Sequence, residues 1–196
     1  MLAISSSAEA ISFTSPSGPF GFYNIPDNDT TGVTASINIS GQPNIASFDS
    51  VTISGFTHSY YGDLRAFLSN GATTVQLFRT SSSPDSQTFT REFSALSGNY
   101  TFATTGANWY TQTVDPVPTA TTYASFAPLS AFNGSSLNGT WTLNVQDRAF
   151  IDTGSFSSFT IDATPVPFGF EPTGGLLIVG GAWFLRKQLK KKTTKV

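Results

Sequence analysis

The chain has 196 residues, of which only 11% are charged and 18 are phenylalanine, and its formal net charge is −2. It contains no cysteine, which excludes disulfides, thiolate chemistry and thiolate metal sites. Residues 1–185 hold four arginines against twelve acidic residues, whereas six basic residues follow in 186–196. Because this acidic body has no basic stripe, a nucleic-acid-binding function is excluded.

The first segment, residues 1–10, ends in Ala8-Glu9-Ala10, which fits the small-residue pattern of a signal-peptidase site. Neither a charged region nor an apolar region of adequate length precedes this pattern. We therefore interpret residues 1–10 as the remnant of a signal peptide that starts further upstream. The alternative is that the match arises by chance.

In the body, residues 11–163, apolar and small polar residues alternate over short segments, and turn residues separate these segments. Six segments have the two-residue period of a half-buried strand: 33–40, 50–56, 63–69, 73–78, 140–146 and 157–163. This pattern predicts an all-β fold, namely an antiparallel jelly-roll β-sandwich. Residues 79–125, which are rich in serine and threonine, predict an extended pair of strands.

The end of the chain divides into a linker (164–172), an uncharged and mostly apolar run (173–185) and a basic tail (186–196). The apolar run is shorter than the roughly 20 residues of a usual spanning helix, but the basic cluster follows it abruptly. We therefore predict a short transmembrane helix over 173–185 with a cytoplasmic tail. The alternative is a buried terminal strand or helix of the globular domain.

The linker carries Pro167, Phe168, Glu171 and Pro172 just before the apolar run. With the basic end, these residues resemble the bacterial C-terminal sorting signals of the PEP-CTERM group, with Pro-Phe-x-x-Glu where Pro-Glu-Pro would stand. The resemblance implies export to the membrane or cell surface. It also implies an exosortase-type processing enzyme as a partner.

Four stretches of the body carry a second resemblance: 25–41, 51–78, 126–147 and 152–161. They contain a Pro-Asp-Asn opening, a Gly-Asp-Leu loop, a Gly-x-Trp-x-Leu-x-x-x-Asp run and a closing Asp-x-Gly strand. In this order they resemble the P domain, or Homo B domain, the jelly-roll module that follows the catalytic domain of proprotein convertases and bacterial subtilisin-like proteases. The threonine and histidine before the Gly-Asp-Leu loop are swapped relative to the family, and one residue is added.

The only histidine, His58, is followed five positions later by Asp63. A Ser–His–Asp site also needs a nucleophilic serine, but no Gly-x-Ser-x-Gly elbow occurs in the chain. We therefore expect His58 and Asp63 to be a structural loop pair, with one ring nitrogen bonded to the backbone. The chain is expected not to be an enzyme.

Aspartates recur in three turns that a jelly roll can bring to one end. The calcium candidates are Asp63, Asp147, Asp152, Asp27 and Asp29. Calcium takes about six to eight oxygen ligands, and the P-domain resemblance also implies calcium. The alternative is that each carboxylate accepts N–H bonds within its own turn. We also expect Arg148 to form a surface ion pair with the neighbouring Asp147.

Two tryptophans of the body differ in their pattern. Trp141 alternates in phase with Leu143 and Val145, so we expect its ring in the core. Trp109 lies outside the alternating segments and is the candidate for ligand binding, as part of an exposed aromatic platform for carbohydrate.

These features lead to three hypotheses of function. The first is a non-catalytic, exported β-sandwich that its C-terminal segment anchors at a bacterial membrane or cell surface, with a structural or binding role. The second is an accessory P domain of a subtilisin-like serine endopeptidase, whose catalytic domain is missing from this chain or acts in trans. The third is a carbohydrate-binding module that recognises a cell-surface polymer.

Overall fold

The structure, a computed structural model, describes residues 8–80 and 93–167. Residues 1–166 form one compact unit, and of the second unit, 167–196, only Pro167 is described. The described residues form eleven strands: β1 (Ile11–Thr14), β2 (Tyr23–Ile25), β3 (Asp29–Ile39), β4 (Ile45–His58), β5 (Leu64–Ser69), β6 (Thr74–Phe78), β7 (Leu96–Ala103), β8 (Thr122–Ala124), β9 (Gly139–Asp147), β10 (Gly154–Phe156) and β11 (Ser158–Pro165). Short 3-10 turns span Tyr61–Asp63, Trp109–Thr111 and Leu129–Phe132.

The strands form two sheets with a shared core. Sheet A has seven strands around β4, which pairs with β11 and β10 along one edge and with β7 along the other. β1 and β2 lie beyond β11 and β10, and β8 lies beyond β7. Sheet B has the order β3-β9-β5-β6. All pairs are antiparallel except β7–β8, which is parallel. The predicted all-β sandwich is confirmed.

The long strand β4 defines two ends of the sandwich. Its last residue, His58, pairs with Gly154, the first residue of β10, and we call this side the loop end. Its first residue, Ile45, pairs with Pro165, the last residue of β11, and we call this side the terminal end. β4 has 14 residues, so at about 3.3 Å per residue the two ends lie roughly 40 Å apart.

The core is formed by the inward-facing side chains, which are every second residue along the strands. Trp141, Leu143 and Val145 of β9 are completely buried. The indole N–H of Trp141 donates to the carbonyl of Leu137 at 2.9 Å, which satisfies the one polar group that its burial removes from water. The predicted burial of Trp141 is confirmed.

The outer face of sheet A carries a row of threonines, one from each of five neighbouring strands. From β1 to β8 the row consists of Thr14, Thr160, Thr52, Thr101 and Thr122. The hydroxyls of the first two are 2.8 Å apart, and so are those of the next two. Cross-strand pairs of this type stabilise a sheet by about 0.2–1 kcal/mol each.

Both edges of sheet A are obstructed. The β1–β2 edge is interrupted by residues 15–22, which contain Pro16 and Pro19. The β8 edge binds Ala107 through two backbone hydrogen bonds of 2.9 Å. Interruption, proline and a covering segment are all features that keep a sheet edge from pairing with another chain.

The two edges of sheet B differ from each other. The β6 edge is covered, because the N–H groups of Phe126 and Ala127 donate to β6 carbonyls at 2.8 and 3.0 Å. Within the described part of the chain, residues 33–39 of β3 make backbone hydrogen bonds to β9 alone. Among the described residues, the outward edge of β3 is therefore open.

The six predicted segments correspond to β3, β4, β5, β6, β9 and β11, and the region 79–125 contributes β7 and β8. Among residues 8–80 and 93–167, no helix is long and apolar enough to span a membrane. The predicted transmembrane segment 173–185, the sorting residues after Pro167 and the basic tail lie outside the described residues.

Candidate functional site

Three turns meet at the loop end of the sandwich. The N–H of Ile151, in the β9–β10 loop, donates to Asp27 Oδ2 at 3.2 Å. In the same loop, Asp152 Oδ1 accepts the hydroxyl of Ser59 at 2.6 Å. These contacts place the β2–β3 turn, the β4–β5 turn and the β9–β10 loop side by side.

A buried histidine–aspartate pair lies beneath these turns. His58 ends β4 of sheet A and Asp147 ends β9 of sheet B. His58 Nε2 is 3.1 Å from Asp147 Oδ2, and both side chains are completely buried. Asp147 Oδ1 also accepts the N–H of Ala149 at 3.1 Å. The pair therefore joins the two sheets at the loop end.

The second ring nitrogen of His58 contacts the backbone of Tyr60. Nδ1 is 3.1 Å from the Tyr60 nitrogen and 2.8 Å from its carbonyl oxygen. In the neutral ring Nδ1 accepts the N–H, and in the imidazolium it donates to the carbonyl, while Nε2–H donates to Asp147 in both forms. The expected bond between a ring nitrogen and the backbone is confirmed.

The predicted pair of His58 with Asp63 is wrong, because the partner of His58 is Asp147. Asp63 ends a 3-10 turn, and its carbonyl accepts the N–H of Arg148 at 3.0 Å. The predicted surface ion pair of Arg148 with Asp147 is also wrong, because the Asp147 carboxylate is completely buried against His58. Both errors have one cause: sheet packing brings the ends of β4 and β9 together across 89 positions of sequence.

Burial determines what the pair can do chemically. A general base must reach the proton that it abstracts, directly or through one water. The side chains of His58 and Asp147 have no solvent-exposed surface, so a substrate cannot reach this histidine in the described conformation. The pair has a structural role.

Gly154 makes room for the buried histidine ring. A Cβ built on this glycine would lie 2.4 Å from His58 Cδ2 and 2.3 Å from the carbonyl oxygen of Thr57. Contacts below about 3 Å are overlaps, so any side chain here displaces either the ring or the neighbouring strand. The Asp-x-Gly strand opening of the sequence thus reflects the close approach of β10 to β4.

The aspartates predicted to bind calcium have different surroundings. The Asp147 carboxylate contacts His58, while Asp27 and Asp152 accept hydrogen bonds within the loop end. Asp29 Oδ1 accepts the N–H of Thr31 at 2.7 Å. In the described ranges, no three histidine, cysteine, aspartate or glutamate side chains lie close enough to hold a metal ion. Calcium binding stays a prediction.

The β9–β10 loop exposes two adjacent apolar side chains. Phe150 is 71% exposed and Ile151 is 90% exposed. Ile151 also has a φ of 93°, in a region that β-branched residues rarely adopt. Such a conformation costs about 1–3 kcal/mol and occurs preferentially at functional sites. Sequence reasoning missed both residues because they lie in a segment treated as a turn.

Trp109 lies in the core, so the prediction of an exposed aromatic platform is wrong. Its side chain is 1% exposed, and its ring centroid lies 4.9 Å from that of Tyr123 and 5.3 Å from that of Phe78. The 3-10 turn Trp109–Thr111 directs the ring inward, where aromatic pairs of this geometry add to the stability of the core. The segment gave no alternation from which this burial could be predicted.

A small cavity of about 250 Å³ lies beside this turn, lined in part by Trp109, Tyr110 and Phe126. The guanidinium of Arg79 lies 4.1 Å from the centre of the Phe126 ring. Burial raises the pKa of Tyr110 to about 12, so its hydroxyl stays protonated near neutral pH.

Sequence reasoning could have found the partner of His58. Asp147 continues the alternation of Trp141, Leu143 and Val145, which places its side chain on the inward face. A buried carboxylate requires a hydrogen-bonding or charged partner. With a single histidine in the chain, this requirement points to His58.

A protein-family model and several solved structures are similar to this chain. The family model of the proprotein convertase P-domain matches residues 49–163. The Aeromonas sobria serine protease in complex with a chaperone has a TM-score of 0.48 at 12% identity, covering 83% of this chain and 28% of that chain. Another structure of the Aeromonas sobria serine protease has a TM-score of 0.46 at 12% identity, covering 81% and 27%. No curated protein matches. The chain belongs to the proprotein convertase P-domain family.

Proposed function

We propose that this chain is a non-catalytic accessory domain that docks onto a subtilisin-like serine protease domain and stabilises it. The protease domain is encoded upstream of this region or is supplied in trans. Membership of the P-domain family supports the association. The burial of His58 and Asp147 supports a role without catalysis.

The docking proposal rests on one observation, the exposure of apolar side chains in the β9–β10 loop. It presents Phe150 and Ile151 to solvent although the backbone of Ile151 is strained. Burying such side chains contributes about 1.5–3 kcal/mol each, so a partner that covers them gains enough to offset the strain. Without a partner, the exposed side chains of Phe150 and Ile151 add little to the stability of the domain.

The chemistry of the partner surface follows from the surroundings of this loop. Asp27 and Asp152 flank the two apolar side chains. An apolar pocket bordered by lysine or arginine is therefore complementary to the loop in both shape and charge. Such charges at the rim of an interface mainly raise the association rate.

The test uses the full chain and subtilisin-like catalytic domains of the source organism, each produced without its own P domain. Binding is measured by calorimetry, and the thermal inactivation of each protease is measured with and without the chain. We expect one of these domains to bind and to lose activity at a higher temperature. The variant Phe150→Ser should weaken that binding at least tenfold, since removing one buried aromatic anchor costs more than about 1.4 kcal/mol.

The matched control is Phe20→Ser, because Phe20 is 84% exposed but lies in the β1–β2 loop. This variant should bind as the unmodified chain does. If none of the catalytic domains binds, the accessory role is rejected. If Phe150→Ser and Phe20→Ser weaken binding equally, the β9–β10 loop is not the contact.

Export and membrane anchoring form a second part of the proposal. The apolar run 173–185 and the basic cluster 186–196 support it. We expect the full chain to sediment with membranes in a bacterial host, and a chain that ends at residue 172 to be released. Equal distribution of the two chains between the fractions would contradict anchoring.

A further inference from the structure

We infer that the open edge of β3 is a self-association surface, at which two copies of the chain pair antiparallel and join their B sheets. The joined sheet has eight strands, four from each copy. This inference is independent of the proposed association with a protease.

The geometry of the β3 edge supports strand addition. Residues 33–39 pair with β9 without a register shift, so they form seven consecutive regular positions. Their other edge has no backbone partner among residues 8–80 and 93–167. An unpaired row of N–H and C=O groups of this length is a template for another strand.

Over residues 33–39, the β3 edge also lacks the features that block strand addition. No charged side chain occurs between residues 30 and 48, and no proline occurs in β3. The other three edges of the sandwich are covered or interrupted, two of them by backbone that binds β6 and β8. Among the described strands, the open edge is therefore specific to β3.

The side chains of β3 are complementary to a second copy of the same strand. If the two-fold axis passes beside Ser36, antiparallel pairing places Thr34 opposite Asn38 on the outer face. On the inner face the same register places the apolar residues Val33 and Ala35 opposite Ile39 and Ile37. Every facing pair is thus polar with polar or apolar with apolar, as a two-fold interface requires.

The absence of charged side chains over residues 33–39 favours this occupant over a strand of unrelated sequence. The body as a whole is acidic, so two copies repel each other at most other surfaces. Residues 33–39 are a neutral stretch where this repulsion is smallest. A partner strand with charged side chains would gain nothing from charge complementarity here.

The test measures the mass of the full chain by sedimentation over a wide concentration range at physiological salt. We expect the mass to rise from 20.8 kDa towards twice that value. Over the same range, hydrogen exchange of the amides in 33–39 should become slower. A mass that stays at one chain, or exchange of these amides that does not depend on concentration, would overturn the inference.

The variant Ser36→Lys tests the edge directly, because it places two lysines opposite each other across the axis. We expect it to stay monomeric, with the unfolding midpoint that the unmodified chain has at concentrations where that chain is monomeric. Thr142→Lys is the control: it lies beside Ser36 on the central strand β9. Two such lysines would be about 14 Å apart in the dimer, beyond the Debye length at physiological salt, so this variant should still dimerise.

Two variants with opposite charges at position 36 distinguish loss of the interface from a folding defect. Ser36→Glu alone should be monomeric, and mixing it with Ser36→Lys should restore dimers at least as stable as those of the unmodified chain. If the mixture stays monomeric, or if Ser36→Lys dimerises as the unmodified chain does, the copies do not pair through β3 and the inference is rejected.

Discussion

At the scale of single residues, Gly154 is a position where the fold leaves no room for a side chain. A Cβ here would overlap the ring of His58 at 2.4 Å and the backbone of β4 at 2.3 Å. We expect Gly154→Ala to lower the free energy of unfolding by about 1–3 kcal/mol, the range for forcing an extra methyl into a packed site. Urea unfolding measures this change. Ser155→Ala, at the next residue of β10, should lower it by less; equal losses would mean that the overlap relaxes freely.

Ile151 should behave in the opposite way. Its φ of 93° is accessible to glycine without strain, and its side chain is 90% exposed, so little packing is lost on truncation. We expect Ile151→Gly to raise the free energy of unfolding by about 0.5–1 kcal/mol, since relief of strain outweighs the added entropy of the unfolded chain. Thermal unfolding measures the change, and a lower midpoint would show that the loop conformation is not strained.

At the scale of elements, the His58–Asp147 pair fastens the ends of β4 and β9 to each other. Asp147→Ala leaves a buried histidine N–H without its acceptor, and we expect a loss of about 1–3 kcal/mol in the free energy of unfolding. Asp152→Ala removes a carboxylate whose partner is the exposed hydroxyl of Ser59, so it should cost about 1 kcal/mol or less. The double variant His58→Leu/Asp147→Leu should recover part of the loss. Similar losses for both single variants would reject the special role of the pair.

The strands illustrate which elements a sequence reveals. The long alternating segments predicted β3, β9 and β11 well because buried and more exposed residues alternate along most of each strand. β2 and β10 have three residues each, too few to show a period. β4 extends to 14 residues because three strands pair with it. Such pairing depends on the whole sheet and not on local pattern.

The site shows the same division between local and non-local information. From the sequence, the convergence of the aspartate-bearing turns was only something that a jelly roll allows, and the contacts of Asp27 and Asp152 bring these turns together. The partner of His58 and the burial of Trp109 depend on contacts between distant segments, and both were predicted wrongly. Exposure of Phe150 and Ile151 could not be predicted, because a turn gives no periodic signal.

At the scale of the whole molecule, calcium tests whether the loop end is stabilised by an ion. A site occupied at a hundred times its dissociation constant adds about 2.7 kcal/mol, or roughly 5–10 °C in a domain of this size. We propose an upward shift of this size for the full chain in saturating calcium compared with excess chelator. Asp152→Asn should abolish the shift and Asp49→Asn should keep it, because Asp49 accepts the hydroxyl of Thr164 at 2.8 Å near the terminal end of the sandwich. An unchanged midpoint would leave the aspartates as hydrogen-bond acceptors of their turns.

The antiparallel ladder between β11 and β4 has a mechanical consequence. β11 pairs with β4 from Ser158 to Pro165 and ends at the terminal end, about 40 Å from the β9–β10 loop. Tension between Val166 and a partner held at that loop acts along the axis of β11. Because antiparallel hydrogen bonds lie perpendicular to the strands, such a pull shears the whole ladder at once and cannot peel it open one pair at a time. The domain is thus arranged to transmit force along its length without unfolding from its end.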